Sequence, residues 1–468
     1  MPRIPIDRLG RRARRQFLES STLFVNILRW SLLAAVVGAI VGFSTAIFIM
    51  ALHGSIEFMQ RLPYYFVAAP LGLWASAMLV RFLAPQARGH GTEKVIEAVH
   101  QREGRMYPVD APVKLVATVI TIASGGSAGK EGPAAQIGAT LASSFASLLR
   151  LSAQDRKRLV ICGISAGFAS IFGTPVAGAL FGVEVLFLGQ ILYEVLLPSF
   201  IAGITAYQVS NLLGAEYFWE TMRWTPVFSE GLLLRVILSG AFFGLVAILF
   251  IEALSWGGRL FRSFGPRPHF IPLYAGMILA GFGLLGADQG LGLGAELLQE
   301  SVSGGPSPGW LWIFKSMATG ITLGGGGSGG VITPIFVVGA NAGALFGRVM
   351  SLDPSIFAAL GMVAVLSGCA NTPIAASVMG LEIFGPDFGP YGATACVISF
   401  LMTGYRSVYS TQVLARQKSD ILVAPPLNEP ISSSGRTTID YSHQRGWARM
   451  QHLAREFGRW LQGARFWK

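Results

Sequence analysis

Residues 125–138, GGSAGKEGPAAQIG, place Lys130 and Glu131 in a glycine-rich turn between long apolar segments. Proline is favoured at the first position of a helix, so a helix is predicted to start near Gly132-Pro133. A helix start leaves backbone N–H groups without partners and carries partial positive charge. Glycines let the backbone approach a ligand closely. The stretch therefore predicts an anion site made of backbone N–H groups, with a carboxylate beside it.

The composition of the chain places this turn inside a membrane. Hydrophobic residues make up 52% of the 468 residues and charged residues only 13%, whereas soluble proteins carry about 25% charged residues. The apolar segments consist of consecutive apolar residues rather than of the alternating segments of about ten residues that an outer-membrane barrel requires, so we exclude a barrel. We therefore predict an all-α polytopic membrane protein.

Many of the apolar segments are shorter than the about 20 residues that a perpendicular span needs, and are interrupted by glycine or proline. At membrane depth such breaks are tolerated only where the chain lines a cavity or is buried in protein. This pattern indicates the interior of a transporter or channel. The segments lie at about 27–52, 64–84, 113–124, 133–149, 158–173, 175–190, 192–213, 232–256, 270–286, 308–323, 334–350, 355–370, 373–384 and 390–405.

The chain also contains an internal repeat. Residues 126–133 (GSAGKEGP) match residues 327–334 (GSGGVITP) at an offset of 201 positions (327 minus 126), and a second match pairs residues 174–185 with 372–383. Two helix starts that face each other at the bilayer midplane would form one anion site, and transporters with this organisation usually have inverted repeats. We expect a basic N-terminus at 1–26, repeats at 27–213 and 232–416, a connection at 214–231, and a tail at 417–468.

The charges predict how the chain lies in the membrane. Six arginines precede the first apolar run, which is long and has no cleavage site, so it is a first spanning helix with a cytoplasmic N-terminus. We expect a multi-pass protein of the cell inner (plasma) membrane with both termini in the cytoplasm. The net charge of +11 favours anionic lipid over nucleic acid as a partner.

The polar C-terminal tail gives two further expectations. The Pro/Ser-rich residues 424–436 read as a flexible linker. Residues 444–468 alternate basic and aromatic side chains at helical spacing, which favours an amphipathic helix on the membrane surface, with a disordered tail as the alternative.

Glu131 is predicted to act as a gate. Its deprotonated carboxylate would occupy the anion position, and protonation would release it. The alternative is a carboxylate that only caps a helix start, but ionisable groups inside a membrane are functional by default. The chain has no P-loop or HExxH motif, and its six histidines show no metal-binding spacing. We expect neither metal nor cofactor.

Four motifs resemble the CLC family of chloride channels and proton-coupled chloride exchangers. GSAGKEGPAAQIG (126–138) resembles the family's G-R/K-E-G-P signature, and GSGGVITPIFVVGA (327–340) resembles its G-x-F-x-P stretch. RSVYSTQVLAR (406–416) resembles its last conserved helix, and RGHGTEKVIEAV (88–99) loosely resembles G-S-G-I-P. Over residues 27–416 the resemblance implies an inverted-repeat CLC-type protomer of tilted, broken helices, a homodimer, and one anion pathway per subunit.

The resemblance also implies roles for individual residues. Glu131 would be the gating and proton-carrying group. The implied anion-binding residues are His90, Lys130, Gly132, Val331, Ile332 and Tyr409.

Three departures from the family pattern bear on these roles. His90 stands where the family has its central serine; it could bind the anion or be a loop residue without a ligand role. Ile332 replaces the phenylalanine of G-x-F-x-P. The exchangers' internal proton-relay glutamate falls on Val185, one residue after Glu184. We expect Glu184 and its repeat mate Glu382 to hydrogen-bond to backbone, with a proton role for Glu184 as the alternative.

The predicted function is transport of chloride and similar monovalent anions, with protons as the coupled partner and Glu131 as the gate. The alternatives are a passive chloride channel of the voltage-gated type and a fluoride/proton antiporter. The fluoride branch carries Gly-Glu-Val-Thr-Pro where residues 330–334 read Gly-Val-Ile-Thr-Pro, so the Thr-Pro is shared and the glutamate is missing. An intramembrane enzyme would need a nucleophile or metal constellation, and the sequence does not display one.

Overall fold

The computed structural model describes residues 6–215, 217, 230–262, 269–419, 422–423, 426–433 and 438–439. The predicted amphipathic helix at 444–468 and most of the predicted connection lie outside the described residues. The described helices are α1 (Ile6–Gln60), α2 (Ala69–Leu83), α3 (Thr92–Gln101), α4 (Asp110–Ala123), α5 (Glu131–Leu148), α6 (Ala153–Phe172), α7 (Pro175–Glu184), α8 (Tyr193–Leu212), α9 (Glu230–Arg262), α10 (Ile271–Phe282), α11 (Ala295–Val302), α12 (Leu311–Gly324), α13 (Ile332–Val349), α14 (Pro354–Ala370), α15 (Pro373–Phe384) and α16 (Gly389–Met402).

The described part of the chain is a polytopic helical membrane protein, as predicted. Six of its helical stretches are long and apolar enough to cross a bilayer. Shorter apolar helices, among them α7 and α15, fill the space between them. The spanning candidates are Leu18–Gln60, Tyr65–Leu83, Tyr193–Leu212, Glu230–Phe261, Ile271–Val302 and Ile332–Val349.

Strands are few in the described residues, and each has two residues. The strand β1 (Phe187–Leu188) pairs in parallel with β2 (Val413–Leu414). A second pair, β3 (Leu422–Val423) and β4 (Thr438–Ile439), is antiparallel. The predicted helical segment 175–190 therefore ends at Glu184, since the chain turns into β1.

Equivalent helices of the two repeats begin 201 residues apart. Helices α4 and α12 start at 110 and 311, α5 and α13 at 131 and 332, and α6 and α14 at 153 and 354. The helix starts at Glu131 and Ile332 fall within one residue of the prediction. The offset seen in two short motifs therefore extends over three consecutive helices of each half.

The repeats run antiparallel to each other, and α7 and α15 show this directly. Glu184, at the end of α7, accepts hydrogen bonds from the N–H groups of Ile374 (3.1 Å) and Ala375 (2.8 Å) at the start of α15. Glu382, near the end of α15, accepts from Val176 (3.0 Å) and Ala177 (2.8 Å) at the start of α7. Because each helix is capped by a carboxylate from the far end of the other, they must run in opposite directions. The prediction that both glutamates bind backbone is confirmed.

Hydroxyl side chains also join the two repeats, in pairs of contacts that are related by an approximate two-fold axis. Thr322 Oγ1 accepts from the backbone N–H of Ser127 (3.0 Å), and Thr121 Oγ1 accepts from the N–H of Ser328 (3.1 Å). A further pair of contacts joins the Ser127 and Thr319 hydroxyls (3.0 Å) and the Thr118 and Ser328 hydroxyls (3.1 Å). Helices α4 and α12 thus each hold the glycine-rich turn of the other repeat.

The core is formed by α5, α6, α13 and α14, which are buried over most of their length. Small residues let these helices pack at backbone distance. A Cβ placed at Gly138 would lie 2.4 Å from the carbonyl oxygen of Gly163, and one at Gly339 would lie 2.3 Å from that of Gly361. The site-bearing helices are therefore fixed rigidly.

Two predictions for the C-terminal part of the membrane body are wrong. Residues 406–416 form turns and β2 rather than a last helix. Residues 426–433 are not a free linker, because the Asn428 N–H donates to Leu414 O (2.8 Å) and the Ile431 N–H donates to Gln412 O (2.8 Å). A Pro/Ser-rich segment cannot form a helix readily, but its backbone can pair with an adjacent extended segment.

Candidate anion and proton site

The site is built where the two glycine-rich turns meet. The Gly129 N–H donates to Gly330 O (2.8 Å) and the Gly330 N–H donates to Gly129 O (2.7 Å), forming an antiparallel bridge between the repeats. Helices α5 and α13 begin directly after these glycines. The two helix starts are therefore in contact, as predicted, and their unpartnered N–H groups and partial positive charges point into one region.

Glu131 lies across this junction and is 1% exposed. Its Oε2 accepts a hydrogen bond from the backbone N–H of Thr333 (3.0 Å), and its Oε1 accepts one from the Thr333 hydroxyl. The carboxylate of the first repeat thus occupies the helix start of the second repeat, where an anion would bind. The carboxylate therefore caps the helix start of the other repeat, and no side-chain cap is formed at the start of its own helix.

The carboxylate fits because residue 129 has no side chain. A Cβ at Gly129 would lie 2.6 Å from Glu131 Oε2 and 3.0 Å from the Thr333 backbone nitrogen. Any larger residue at this position would displace the carboxylate from the α13 start.

The remaining residues predicted at the helix starts lie beside the carboxylate. Lys130 and Val331 are the residues immediately before α5 and α13, and Ile332 is the first residue of α13. The Gly132 backbone packs against the turn before α3, since a Cβ at Gly132 would lie 2.1 Å from His90 O. The structure therefore brings the α3 turn to the same junction.

The turn before α3 presents buried polar atoms. Thr92 and Tyr409 are both 0% exposed, and their hydroxyls lie close to each other. Within the described residues, Thr92 Oγ1, Tyr409 Oη and His90 Nδ1 have no hydrogen-bond partner, although His90 Nδ1 lies 3.8 Å from Glu93 Oε2. Buried polar groups are nearly always paired, so three such atoms together indicate a place for a polar ligand.

The turn that carries Tyr409 is held by side chains rather than by a helix. Ser410 donates to Glu93 Oε1 through its N–H (3.2 Å) and its hydroxyl (2.5 Å). Gln412 Nε2 donates to Val185 O and Ala370 O, both at 2.8 Å. These contacts position the tyrosine ring against α3.

Two buried lysines are part of this architecture, and sequence reasoning missed them. Lys114 and Lys315 are both 0% exposed and occupy equivalent repeat positions. Lys114 Nζ donates to Gly89 O (2.7 Å) and Ala87 O (3.2 Å), and Lys315 Nζ donates to Gly292 O (2.8 Å). Each ammonium therefore fixes the loop before the short helix α3 or α11. Their spacing of 201 residues was a signal present in the sequence.

Thr333 was also missed as a site residue, although it is the direct hydrogen-bond partner of Glu131.

A cavity of about 210 Å³ reaches Glu131 and Thr333. It is lined by Lys130, Glu131 and Thr333 together with His53 and Phe336, among others. An ion or water could approach the carboxylate through it.

Inverted repeats whose helix starts converge on a buried carboxylate define a membrane ion transporter of the inverted-repeat class. The chain belongs to the voltage gated chloride channel (CLC) family, whose profile matches residues 71–404. A chloride/fluoride channel protein of Pseudomonas syringae pv. tomato is 32% identical over 408 residues, covering 86% of this chain and 90% of that protein. The H(+)/Cl(-) exchange transporter ClcA of Vibrio parahaemolyticus is 26% identical over 397 residues, covering 79% and 84%. The crystal structure of a CLC-type fluoride/proton antiporter matches with a TM-score of 0.79 at 28% identity, covering 84% of this chain and 99% of that one.

Proposed function

We propose that this anion transporter exchanges chloride and similar monovalent anions for protons, with Glu131 as the gate and proton carrier. The observation that carries the proposal is the carboxylate bound at the α13 start by the N–H and hydroxyl of Thr333. An anion and a carboxylate contend there for the same donors, so the anion gains access when the carboxylate is protonated and leaves. A passive channel would pass anions without any obligatory proton movement.

The proposed anion position lies between the two helix starts and the buried hydroxyls. Backbone N–H groups and hydroxyls stabilise an anion without a full fixed positive charge at the binding point, so the anion can leave again. Thr92 joins the predicted set because its hydroxyl is buried beside that of Tyr409 and has no partner in the described structure. The proposed ligands are His90, Thr92, Lys130, Gly132, Val331, Ile332 and Tyr409.

The decisive experiment imposes a chloride gradient on sealed liposomes that contain the purified protein and measures proton movement. We expect protons to be driven against their own gradient. Glu131→Gln keeps the size of the side chain and removes its titration, so proton movement should fall to the level of empty liposomes while anion flux persists. Chloride flux without proton movement in the unmodified protein would identify a channel. Proton pumping that survives Glu131→Gln would show that the gate is assigned wrongly.

Fluoride is a second candidate substrate. Thr333-Pro334 is shared with the fluoride branch, and two of the similar proteins are named for fluoride. Residue 331 is valine rather than that branch's glutamate. The same liposomes loaded with fluoride or chloride decide between them: faster chloride efflux supports the proposal, and efflux confined to fluoride would replace it.

We further propose a homodimer in the inner membrane with both termini in the cytoplasm. The family resemblance supports the dimer, and the six N-terminal arginines support the orientation. Single-molecule photobleaching of labelled protein in liposomes should count two subunits per particle.

A further inference from the structure

The cavity of about 210 Å³ at Glu131 and Thr333 is called the gate cavity below. A second cavity shares lining residues with it and has an acidic lining, and is called the acidic cavity. It measures about 330 Å³, and its charged lining residues are Glu57, Asp288 and Glu296, with His53 and Tyr65 beside them. Among the described residues, no lysine or arginine lines it. Such a cavity repels anions and raises the local concentration of protons. In an anion transporter, it is suited to proton access rather than to the anion path.

The two cavities meet at His53. This residue lines both, together with Leu293 and Ala295, and is the only titratable residue of the three. Imidazole changes its charge near neutral pH and is therefore the side chain most often used to shuttle protons. His53 lies seven positions before the end of α1 at Gln60, far along the helix from the basic N-terminus. In the proposed orientation it faces the outer side of the gate.

The charged groups that line the two cavities around His53 are mostly carboxylates. In the acidic cavity it faces Glu57 from its own helix and Asp288 and Glu296 from the second repeat. In the gate cavity the titratable and charged residues are Lys130, Glu131 and Tyr217. Arg61 forms an ion pair with Glu57 (Nη2 to Oε1, 2.8 Å), which offsets the negative charge of that carboxylate. The remaining carboxylates, Asp288, Glu296 and Glu131, outnumber the one ammonium group, that of Lys130.

We propose that His53 carries protons between the acidic cavity and Glu131. An imidazolium N–H gives its proton, through water in the gate cavity, to the Glu131 carboxylate, which becomes a carboxylic acid and leaves the α13 start. The neutral imidazole then takes the next proton from the acidic cavity. The inference rests on the proposed proton exchange and adds the route by which the gate is loaded.

The test uses His53→Gln in liposomes, with His269→Gln as the matched control because His269 is exposed and lines neither cavity. General acid–base groups contribute about 10²- to 10⁴-fold to proton transfer. We expect His53→Gln to slow chloride-driven proton uptake at least tenfold, and His269→Gln to leave it at the unmodified rate. In His53→Ala, added imidazole should restore part of the uptake.

The Glu131→Gln background separates a relay from a structural role. There the gate takes up no proton, so adding His53→Gln should cause no further loss of chloride flux. A further loss would mean that His53 only supports the structure, and would overturn the relay. Unchanged proton uptake in His53→Gln from pH 5 to 8 would overturn it as well. If the unmodified protein moves no protons, the proposed exchange fails first and the relay fails with it.

Discussion

At the residue scale, Thr333 is the hydrogen-bond partner of the Glu131 carboxylate in the proposed gate. Thr333→Val removes the hydroxyl that donates to Glu131 and keeps the backbone N–H. A hydrogen bond to a charged group is worth about 1.5–3 kcal/mol, so the closed arrangement should lose roughly ten- to a hundredfold in relative population. We expect faster anion efflux and fewer protons moved per anion.

The measurement is paired chloride and proton flux in the same liposomes. Thr394→Val is the matched control, since Thr394 is half-buried and its hydroxyl donates within its own helix, to Pro390 O (2.8 Å). If Thr333→Val leaves both fluxes and their ratio unchanged, then the hydroxyl does not hold the gate.

What the sequence revealed about individual residues followed from their chemistry. Glu131 stood out because a carboxylate in an apolar chain demands an explanation. Thr333 did not, because threonine is common in helices and its partner lies 202 positions away. Lys114 and Lys315 were not predicted as site residues for a similar reason. Each is a single charged residue in an apolar helix, and its ammonium group donates to backbone carbonyls of another segment.

At the element scale, α7 and α15 depend on each other for their caps. Glu184→Gln or Glu382→Gln replaces a two-oxygen acceptor by an amide with one acceptor oxygen, and leaves one N–H of the partner helix without its carboxylate partner. A hydrogen bond to a charged group is worth about 1.5–3 kcal/mol. We expect each variant to unfold at a lower temperature in detergent, monitored by intrinsic fluorescence at one fixed scan rate.

Glu194→Gln is the control for that comparison. Glu194 makes an exposed ion pair with Arg158 at 3.2 Å, and such pairs contribute about 0–1 kcal/mol. Its unfolding temperature should therefore stay near that of the unmodified protein. Equal behaviour of all three variants would contradict the capping role.

Helix positions were largely predictable, because apolar length and proline mark the start and end of a buried helix. Helices α3 and α11 were missed as segments, since they have only 10 and 8 residues and include charged side chains. The expected helix at 406–416 failed because Glu93 and Gln412 provide side-chain hydrogen bonds that hold this segment as a turn. Such tertiary contacts are invisible in local sequence patterns.

At the scale of the whole molecule, the sequence predicted two related halves but did not fix their mutual direction. A repeat offset is the same for parallel and inverted copies. Direction became visible only in reciprocal contacts, such as the Gly129–Gly330 bridge and the crossed caps of α7 and α15. The contact between the two helix starts follows from this symmetry, since only an inverted arrangement brings them together.

The inverted arrangement of the repeats also predicts that equivalent contacts in the two halves contribute similarly to stability. Thr121 accepts from the buried N–H of Ser328, and Thr322 accepts from the buried N–H of Ser127. Thr121→Val and Thr322→Val each leave one such N–H unpaired, at a cost of about 1–3 kcal/mol. Because the two contacts are equivalent by symmetry, the two variants should lower the unfolding temperature by similar amounts, and Thr394→Val should not.

The double variant Thr121→Val/Thr322→Val extends this argument to the interface between the repeats. Both contacts lie in one hydrogen-bonded junction, and losses in such a network are coupled rather than strictly additive. We expect the double variant to lose stability by an amount that differs from the sum of the single losses, and to show faster hydrogen exchange at residues 125–131 and 326–332. A strong loss for one threonine and none for the other would show that one repeat alone carries the junction, and the symmetric account of the site would then be wrong.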